Sequence, residues 1–319
     1  MQFLDSISDG EDTPSTESTV VPPSAPSHTH TVIVLHGRED FGEDLAKSFF
    51  DSKSSQNESM AELFPAVRWV FPTAKLRYSA QRDYEFSNSS FAEALKGEEI
   101  ISQWFDVWDI KEPNQKKDLM IPGLSDSILQ IIRIVQEEAK MVPLSRIVLG
   151  GISQGCATAI LALVASGINL GGFFGLCSWL PFNEDIASMF ASHDEKGNIS
   201  RSVRNLLRLP PIGSREWEPT EPEKETPNEN ITNGSIVDAA FERLAIGNNL
   251  TTPIFLVHSM DDETVPLEMG RELYQTIKHI GFEDIRWKEY EDGGHWIHPK
   301  LGVDDMAGFL KHCFKRCTL

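Results

Sequence analysis

The sequence lacks the features that mark several large classes of protein. It has only 4 cysteines in 319 residues, too few for the disulfide framework of a small secreted domain. It contains no run of about 18 consecutive apolar residues, so we expect no membrane-spanning segment. Its 29 lysines and arginines are outnumbered by 48 aspartates and glutamates, and the net charge of −19 argues against a nucleic-acid-binding surface.

The N-terminus has neither the basic stretch nor the apolar stretch of a secretory signal, so we expect a cytoplasmic protein with reduced cysteines. Residues 1–28 are rich in Ser, Thr, Pro and acidic side chains, a composition that cannot bury a core. We predict that they form a disordered acidic tail and that residues 29–319 form a single domain. Within this domain, we interpret residues 183–249 as a long insertion, partly disordered and a candidate lid.

Beyond the tail, patterns typical of strands and helices alternate along the chain. Short apolar, β-branched runs predict buried strands, and segments with apolar residues at helical spacing follow most of them. One such helix is predicted to begin at Ser125 or Asp126. The alternation favours an α/β fold, with a mostly parallel sheet covered by helices on both faces. The predicted strands span residues 31–37, 66–72, 146–149, 171–179, 253–258 and 285–290.

The stretch from Ser145 to Ala165 combines a strand, a glycine-rich turn and a helix. The turn reads Gly151-Ile-Ser-Gln-Gly155, a G-x-S-x-G pattern. A strand that becomes a helix within so few residues needs glycine on both sides, because bulky side chains do not fit there. The first amides of the helix have no partner within it and are free to bind an anion. This pattern is typical of a nucleophile elbow, with Ser153 as the nucleophile.

A serine hydroxyl needs a base to take its proton and a carboxylate to orient that base. Candidates follow the last two predicted strands, in the order serine, aspartate, histidine that this type of fold uses. Asp261 and Asp262 follow the first of these strands. We select Asp262 and expect Asp261 to cap the turn. His295 follows the second strand in a Gly-Gly turn, and we prefer it to His298, which begins the next helical segment.

The tetrahedral intermediate of acyl transfer carries a negatively charged oxygen that needs two amide donors. We assign the first to the backbone N–H of Gln154, directly after the nucleophile. The second should come from the loop after strand 31–37, and we assign the backbone N–H of Arg38. Only the backbone of Arg38 is needed for this role.

With these residues in place, the chain resembles the acyl-protein thioesterase/carboxylesterase family, also known as the phospholipase/carboxylesterase family. The resemblance covers most of residues 30–317 and rests on motifs that rarely occur together by chance. The matching motifs are Val32-Ile-Val-Leu-His-Gly37, Trp104-Phe-Asp106, Ser145-Arg-Ile-Val-Leu-Gly-Gly-Ile-Ser-Gln-Gly155, Leu176-Cys-Ser-Trp-Leu-Pro181, Asp262-x-x-Val-Pro266 and Gly294-His295.

The resemblance implies a single-domain α/β-hydrolase that uses the triad Ser153, Asp262 and His295, oxyanion donors at Arg38 and Gln154, and neither a metal nor another cofactor. The implied activity is hydrolysis of fatty-acyl thioesters on proteins (depalmitoylation), or of carboxylic esters, through an acyl-enzyme. The alternative is a general carboxylesterase or lysophospholipase without protein substrates. The expected partner is an acylated protein or a small ester, and the expected assembly is a monomer or a weak homodimer.

Three departures from the family pattern lie around the predicted site. Cys156 follows the elbow, where family members usually have a glycine or another small residue. Pro72-Thr73-Ala74 stands where members usually have Pro-His-Ala. Segments 76–102 and 183–249 are longer than in compact members. Because loops at this edge of the sheet shape the acyl pocket, the longer segments leave the substrate preference open.

Aromatic residues near the predicted site are candidates for substrate contact, although core packing explains them equally well. A further hypothesis is that apolar side chains between residues 76 and 91 help to line or cover an acyl channel. The candidates for substrate contact are Trp104, Trp179 and Phe86. The further side chains proposed for the channel are Leu76, Tyr78 and Phe91.

Overall fold

A seven-stranded, mostly parallel sheet forms the centre of the protein in the computed structural model, which describes residues 18–90, 93–191, 199–210 and 250–316. The strands are β1 (Thr19–Val21), β2 (His30–Leu35), β3 (Val67–Phe71), β4 (Leu76–Tyr78), β5 (Ile100–Ser102), β6 (Ile147–Ile152), β7 (Gly172–Leu176), β8 (Ile254–Ser259) and β9 (Ile285–Tyr290). In the large sheet the order is β1-β3-β2-β6-β7-β8-β9, and only the β1–β3 pair is antiparallel. Strands β4 and β5 pair with each other in a separate sheet.

Helices cover both faces of this sheet. They are α1 (Gly42–Asp51), α2 (Met60–Leu63), α3 (Ala80–Ser87), α4 (Met120–Ala139), α5 (Gln154–Ser166), α6 (Asn183–Ala191), α7 (Ile199–Leu206), α8 (Leu267–Ile280) and α9 (Gly302–Arg316). Helices α4, α5 and α8 contribute to one hydrophobic core, and α1 and α9 to another on the opposite face. Within the described ranges, no helix combines the length and the apolar character needed to cross a bilayer.

Strand β2 shows how the sequence separates the two cores. Side chains alternate between the faces of a strand, so consecutive apolar residues serve both. Ile33 and Leu35 belong to the core beside α4 and α5, whereas Val32 and Val34 belong to the core beside α1 and α9. The strand is apolar throughout because helices bury both of its faces. The predicted α/β-hydrolase fold class is confirmed.

The prediction of disorder over residues 1–28 is wrong for residues 19–21, which form β1 at the edge of the sheet. Thr19, Val20 and Val21 are β-branched, and β1 pairs antiparallel with β3. Edge pairing satisfies backbone hydrogen bonds without requiring deep burial, so a segment of this composition can still be ordered. The first 17 residues of the predicted tail lie outside the described residues.

The predicted insertion 183–249 begins with two helices, α6 and α7. Helix α7 packs on the body of the domain: Val203 is fully buried, and the Ser200 hydroxyl donates a hydrogen bond to the carbonyl oxygen of Ala165 at 2.7 Å. Residues 192–198 and 211–249 of the candidate lid lie outside the described residues. The whole-domain boundaries and the lid stay predictions.

Helix α4 begins at Met120, earlier than the predicted start at Ser125 or Asp126. Pro122 lies in its first turn, where a missing N–H group costs no helical hydrogen bond. A side chain at Gly123 would collide with the backbone of Phe105, at a Cβ–Cα distance of 2.5 Å. The proline and the glycine therefore fit a helix start that is packed against the segment after β5.

Candidate active site

The nucleophile elbow joins β6 to α5, with Ser153 at the turn. Ser153 has φ of 54° and ψ of −127°, a conformation that non-glycine residues rarely adopt and that is costly unless the surroundings enforce it. The surroundings here are close backbone contacts. A Cβ atom at Gly151 would lie 2.7 Å from the nitrogen of Cys156, and one at Gly155 would overlap the carbonyl oxygens of His36 and Leu35. A side chain at either position would collide with the backbone, so both positions require glycine.

Asp262 and His295 are in direct contact although they lie on loops after different strands. His295 Nδ1 donates a hydrogen bond of 2.7 Å to Asp262 Oδ2. The other carboxylate oxygen accepts the backbone amides of Thr264 and Val265, both at 2.9 Å. The Asp262 side chain is fully buried, and 24% of the His295 side chain is exposed. With Nδ1 engaged, Nε2 is the imidazole nitrogen that can accept a proton.

The charge state of Asp262 follows from two opposing effects. Burial acts to raise the pKa of its carboxyl group, but hydrogen bonds from His258, His295 and the Val265 amide outweigh it and hold the pKa well below the ordinary value. The carboxylate is thus ionised throughout the neutral range and can support a positive charge on His295.

A second histidine, His258 at the end of β8, lies behind the same carboxylate. Its Nε2 donates to the Val265 carbonyl oxygen at 2.8 Å and is 3.3 Å from Asp262 Oδ2. Its ring is fully buried, and a side chain at Gly270 would overlap its Nδ1. His258 therefore contacts Asp262 on its buried side and fixes the position of its carboxylate. Sequence reasoning did not identify this role, although a histidine at a strand end beside the aspartate pair was a usable signal.

The segment Leu176–Ser178, after β7, contacts both the elbow and the histidine loop. The Leu176 carbonyl oxygen accepts the backbone amide of Ser153 at 2.9 Å, and the Ser178 hydroxyl donates to the Ser153 carbonyl oxygen at 2.7 Å. On the other side, Cys177 Sγ lies 3.7 Å from the Gly294 carbonyl oxygen. The same short segment thus lies between Ser153 and the loop of His295 and contacts both. Within the described ranges, the Ser153 hydroxyl makes no hydrogen bond to His295; such contacts often tighten only when substrate binds.

The loop after β2 brings the predicted oxyanion donors next to the elbow. Strands β2 and β6 are neighbours, with Leu35 opposite Gly151. Gly37 lies so close that an added Cβ would be 3.6 Å from the Cβ of Ser153. In the part of the chain that the structure describes, the backbone amides of Arg38 and Gln154 have no hydrogen-bond partner. Both are therefore free to bind an anionic oxygen.

The sequence model of the family described as Phospholipase/Carboxylesterase matches residues 16–199, which is 184 of the 319 residues and more than half of the chain. The chain belongs to the phospholipase/carboxylesterase family. It is therefore an enzyme of the serine hydrolase class. The matched region contains Ser153, Gln154 and Arg38 and ends before Asp262 and His295.

Curated relatives extend over nearly the whole chain. An acyl-protein thioesterase 1 of Aspergillus fumigatus is 25% identical over 300 residues, covering 92% of this chain and 94% of the relative. An acyl-protein thioesterase 1 of Candida albicans is 22% identical, covering 93% and 97%. Among solved structures, acyl-protein thioesterase 2 of Zea mays has a TM-score of 0.57 at 20% identity, covering 94% of this chain and 100% of that one. The structural likeness supports the α/β-hydrolase fold.

In this member of the phospholipase/carboxylesterase family, two of the residues predicted to contact substrate are buried. Trp104 and Trp179 are 0% and 1% exposed. The Trp104 indole N–H donates to the His36 carbonyl oxygen at 2.8 Å, so this side chain supports the oxyanion loop from inside the core. Phe86 is half-buried on α3, and its contact with substrate stays a prediction. Leu76 and Tyr78 are exposed on β4, and Phe91 lies outside the described residues.

The side chain of Gln154 has a role that sequence reasoning missed. Its Oε1 accepts the Trp104 amide and its Nε2 donates to the Phe105 carbonyl oxygen, both at 2.9 Å. The side chain is fully buried. Gln154 therefore fixes the segment after β5 to the start of α5, beside the backbone amide assigned to the oxyanion. The G-x-S-x-G motif pointed to Gln154 only for its backbone N–H group.

One group of potential metal ligands occurs in the described ranges: Cys177, Asp262 and His295, with donor atoms within 4.8 Å of one another. Asp262 and His295 already share a proton in this group. Burial, followed by the charge of Asp262, raises the pKa of the Cys177 thiol far above its ordinary value. The thiol is therefore protonated at neutral pH and is neither a good nucleophile nor a ready metal ligand.

Two histidines, the buried His36 and the half-buried His30, make stability depend on pH. Burial lowers the pKa of His36 and of His30 to about 4, against 6.5 in the unfolded chain. Between these values the unfolded chain binds more protons, so stability falls as pH decreases from 6.5 towards 4. We expect His36 alone to reduce the free energy of unfolding by about 2 kcal/mol between pH 7 and pH 5. Urea unfolding at the two pH values checks this. A His36→Gln variant that shows an undiminished pH dependence would contradict it.

Proposed function

We propose that this enzyme hydrolyses fatty-acyl thioesters on proteins, and carboxylic esters of similar shape, through an acyl-enzyme on Ser153. The observation that carries the proposal is the hydrogen bond between His295 and the buried carboxylate of Asp262. The loop of His295 contacts the Leu176–Ser178 segment, which also binds the backbone of Ser153. Relatives named acyl-protein thioesterase 1 that match nearly the whole chain support the thioester as substrate.

In the proposed mechanism, His295 Nε2 takes the proton of the Ser153 hydroxyl as its oxygen attacks the acyl carbon. Asp262 stabilises the resulting imidazolium through the hydrogen bond to Nδ1. The amides of Arg38 and Gln154 bind the oxyanion of the tetrahedral intermediate, a contribution of about 3–4 kcal/mol for each donor of this kind.

Collapse of the intermediate expels the thiolate or alkoxide, which receives the proton held by His295. A water molecule then gives its proton to His295 Nε2 and attacks the acyl-enzyme. The second intermediate collapses to release the fatty acid, and the departing Ser153 oxygen takes the proton back from His295.

The protein is further proposed to act in the cytoplasm on an acylated protein partner. Two cysteines in the described ranges, Cys156 and Cys177, are free and buried, as expected of a reducing compartment. Burial raises the pKa of Cys156 to about 12, so this thiol is chemically inert.

Rates of hydrolysis on matched peptides test the substrate class. The panel consists of one peptide carrying S-palmitoyl, S-acetyl or O-palmitoyl groups, together with p-nitrophenyl butyrate and a lysophospholipid. We expect kcat/KM to be at least about tenfold higher for S-palmitoyl than for S-acetyl peptide, because burial of additional methylenes stabilises the bound state. Hydrolysis of only the short ester or the lysophospholipid would support the general carboxylesterase or lysophospholipase. Hydrolysis of none would overturn the proposal.

A further inference from the structure

The imidazole of His36, at the end of β2, takes no part in the proposed mechanism but is fully buried directly behind the oxyanion loop. Its Nδ1 lies 2.6 Å from the Gly37 carbonyl oxygen, and its Nε2 lies 2.9 Å from the backbone nitrogen of Ala74. A carbonyl oxygen can only accept a hydrogen bond and a backbone N–H can only donate one. Nδ1 must therefore carry the proton and Nε2 must be unprotonated, so the two partners specify one neutral tautomer.

The hydrogen bond to Gly37 sets the direction of the Arg38 amide. The carbonyl of Gly37 and the N–H of Arg38 belong to one planar trans peptide, in which the C=O and N–H bonds point in opposite directions. Because the imidazole holds the carbonyl oxygen on its own side, the Arg38 N–H is directed away from it. A rotated peptide would present a carbonyl oxygen, and hence a partial negative charge, where an oxyanion donor is needed.

A continuous set of hydrogen bonds connects this peptide to Gln154, whose backbone amide is the second proposed oxyanion donor. The Gln154 side chain accepts the Trp104 amide at 2.9 Å, and the Trp104 indole donates to the His36 carbonyl oxygen at 2.8 Å. The His36 imidazole then donates to Gly37. The two residues whose amides we assign to the oxyanion are thus held in one network, in which His36, Trp104 and Gln154 are buried.

We propose that His36 is a positioning residue, which orients the Gly37–Arg38 peptide so that the Arg38 amide faces the developing oxyanion. This inference rests on the proposed function, since it assumes acyl transfer at Ser153. Ala74 contributes by fixing the tautomer, and Trp104 by anchoring the backbone of His36. A preorganised donor of this kind acts on the transition state and not on the bound substrate.

Two substitutions at His36 separate its two hydrogen bonds. In His36→Asn, the amide nitrogen lies near the former position of Nδ1 and can still donate to Gly37. In His36→Gln, the carbonyl oxygen lies near the former position of Nε2 and can accept the Ala74 amide, but the donor to Gly37 is lost. With p-nitrophenyl octanoate we expect His36→Gln to lower kcat by about 10²-fold with KM changed less than about threefold, and His36→Asn to restore most of the loss.

Inhibition by a straight-chain trifluoromethyl ketone, which forms a tetrahedral adduct with the nucleophile, gives an independent readout. We expect its affinity for His36→Gln to fall by about the same factor as kcat/KM, because both depend on the oxyanion donors. Equal losses in the Asn and Gln variants, or a folded Gln variant with kcat within about threefold of wild type, would overturn the inference. A wild-type protein that hydrolyses no ester would instead overturn the proposed function itself.

Thermal unfolding establishes whether each variant is folded. Should neither His36 variant fold, Trp104→Phe decides, since it keeps an aromatic ring in the core and removes the indole N–H that donates to the His36 carbonyl oxygen. A drop in kcat of about tenfold at unchanged KM would support the inference, and an unchanged kcat would overturn it.

Discussion

Ser153→Ala is expected to lower kcat by about 10⁵–10⁶-fold and to abolish labelling by a fluorophosphonate probe, while KM for the residual activity changes little. Without the hydroxyl no acyl-enzyme can form, and only the oxyanion donors and substrate binding remain. The fold should tolerate the change, because the backbone hydrogen bonds of Ser153 to Leu176 and Ser178 do not involve the side chain. Active-site titration of the wild type supplies the concentration of competent enzyme.

The matched control for this substitution is Cys177→Ala, because Cys177 carries the other potential nucleophile beside His295. Its buried, protonated thiol should not react, so labelling should persist in the control. Labelling that survives in Ser153→Ala and disappears in Cys177→Ala would show that the nucleophile has been misassigned.

Asp262→Asn is expected to lower kcat by about 10⁴-fold. The asparagine can still accept the backbone amides of Thr264 and Val265, so the turn should keep its shape. Its amide nitrogen, however, would donate to His295 Nδ1 and force the proton onto Nε2. An imidazole in that tautomer cannot take the proton of Ser153, and no carboxylate remains to stabilise the imidazolium.

Asp261→Asn serves as the control because it makes the same chemical change one residue earlier. Asp261 is exposed, and its Oδ1 accepts the Gly294 amide at 2.9 Å, a bond that the asparagine oxygen can also accept. We expect kcat to stay within about threefold of wild type, a change worth less than about 1 kcal/mol. Comparable losses in both variants would indicate that the two aspartates act by holding the His295 loop, and would remove Asp262 from the triad.

Local patterns were sufficient for much of the site. The glycines at 151 and 155 are needed by the turn itself, so the turn could be predicted, and Ser153 proposed as the nucleophile, from spacing alone. Asp262 and His295 could be assigned because loops after adjacent parallel strands converge at one edge of the sheet, and β8 and β9 are such neighbours. Their hydrogen bond has the geometry expected of the pair.

Other features depend on contacts between distant segments and left no usable pattern. The edge strand Thr19–Val21 forms because β3 offers an unpaired edge, which composition cannot reveal. Helix α7 packs on α5, a contact that the sequence of the insertion did not predict. For Trp104 the sequence left substrate contact and core packing both open, and tertiary packing places its ring in the core with its indole N–H on the His36 carbonyl oxygen.

The sequence alone determined the α/β class, the tight turn at Ser153 and the order along the chain of the three residues proposed as a triad, because these follow from local backbone geometry and from periodicity. Only the tertiary structure decided which side chains support them. His36 hydrogen-bonds to the peptide that carries the Arg38 amide, His258 contacts Asp262, and Gln154 hydrogen-bonds to Trp104. The physical reason is that a buried polar group must find a partner wherever the fold provides one. Such partners are set by three-dimensional packing and not by distance along the chain.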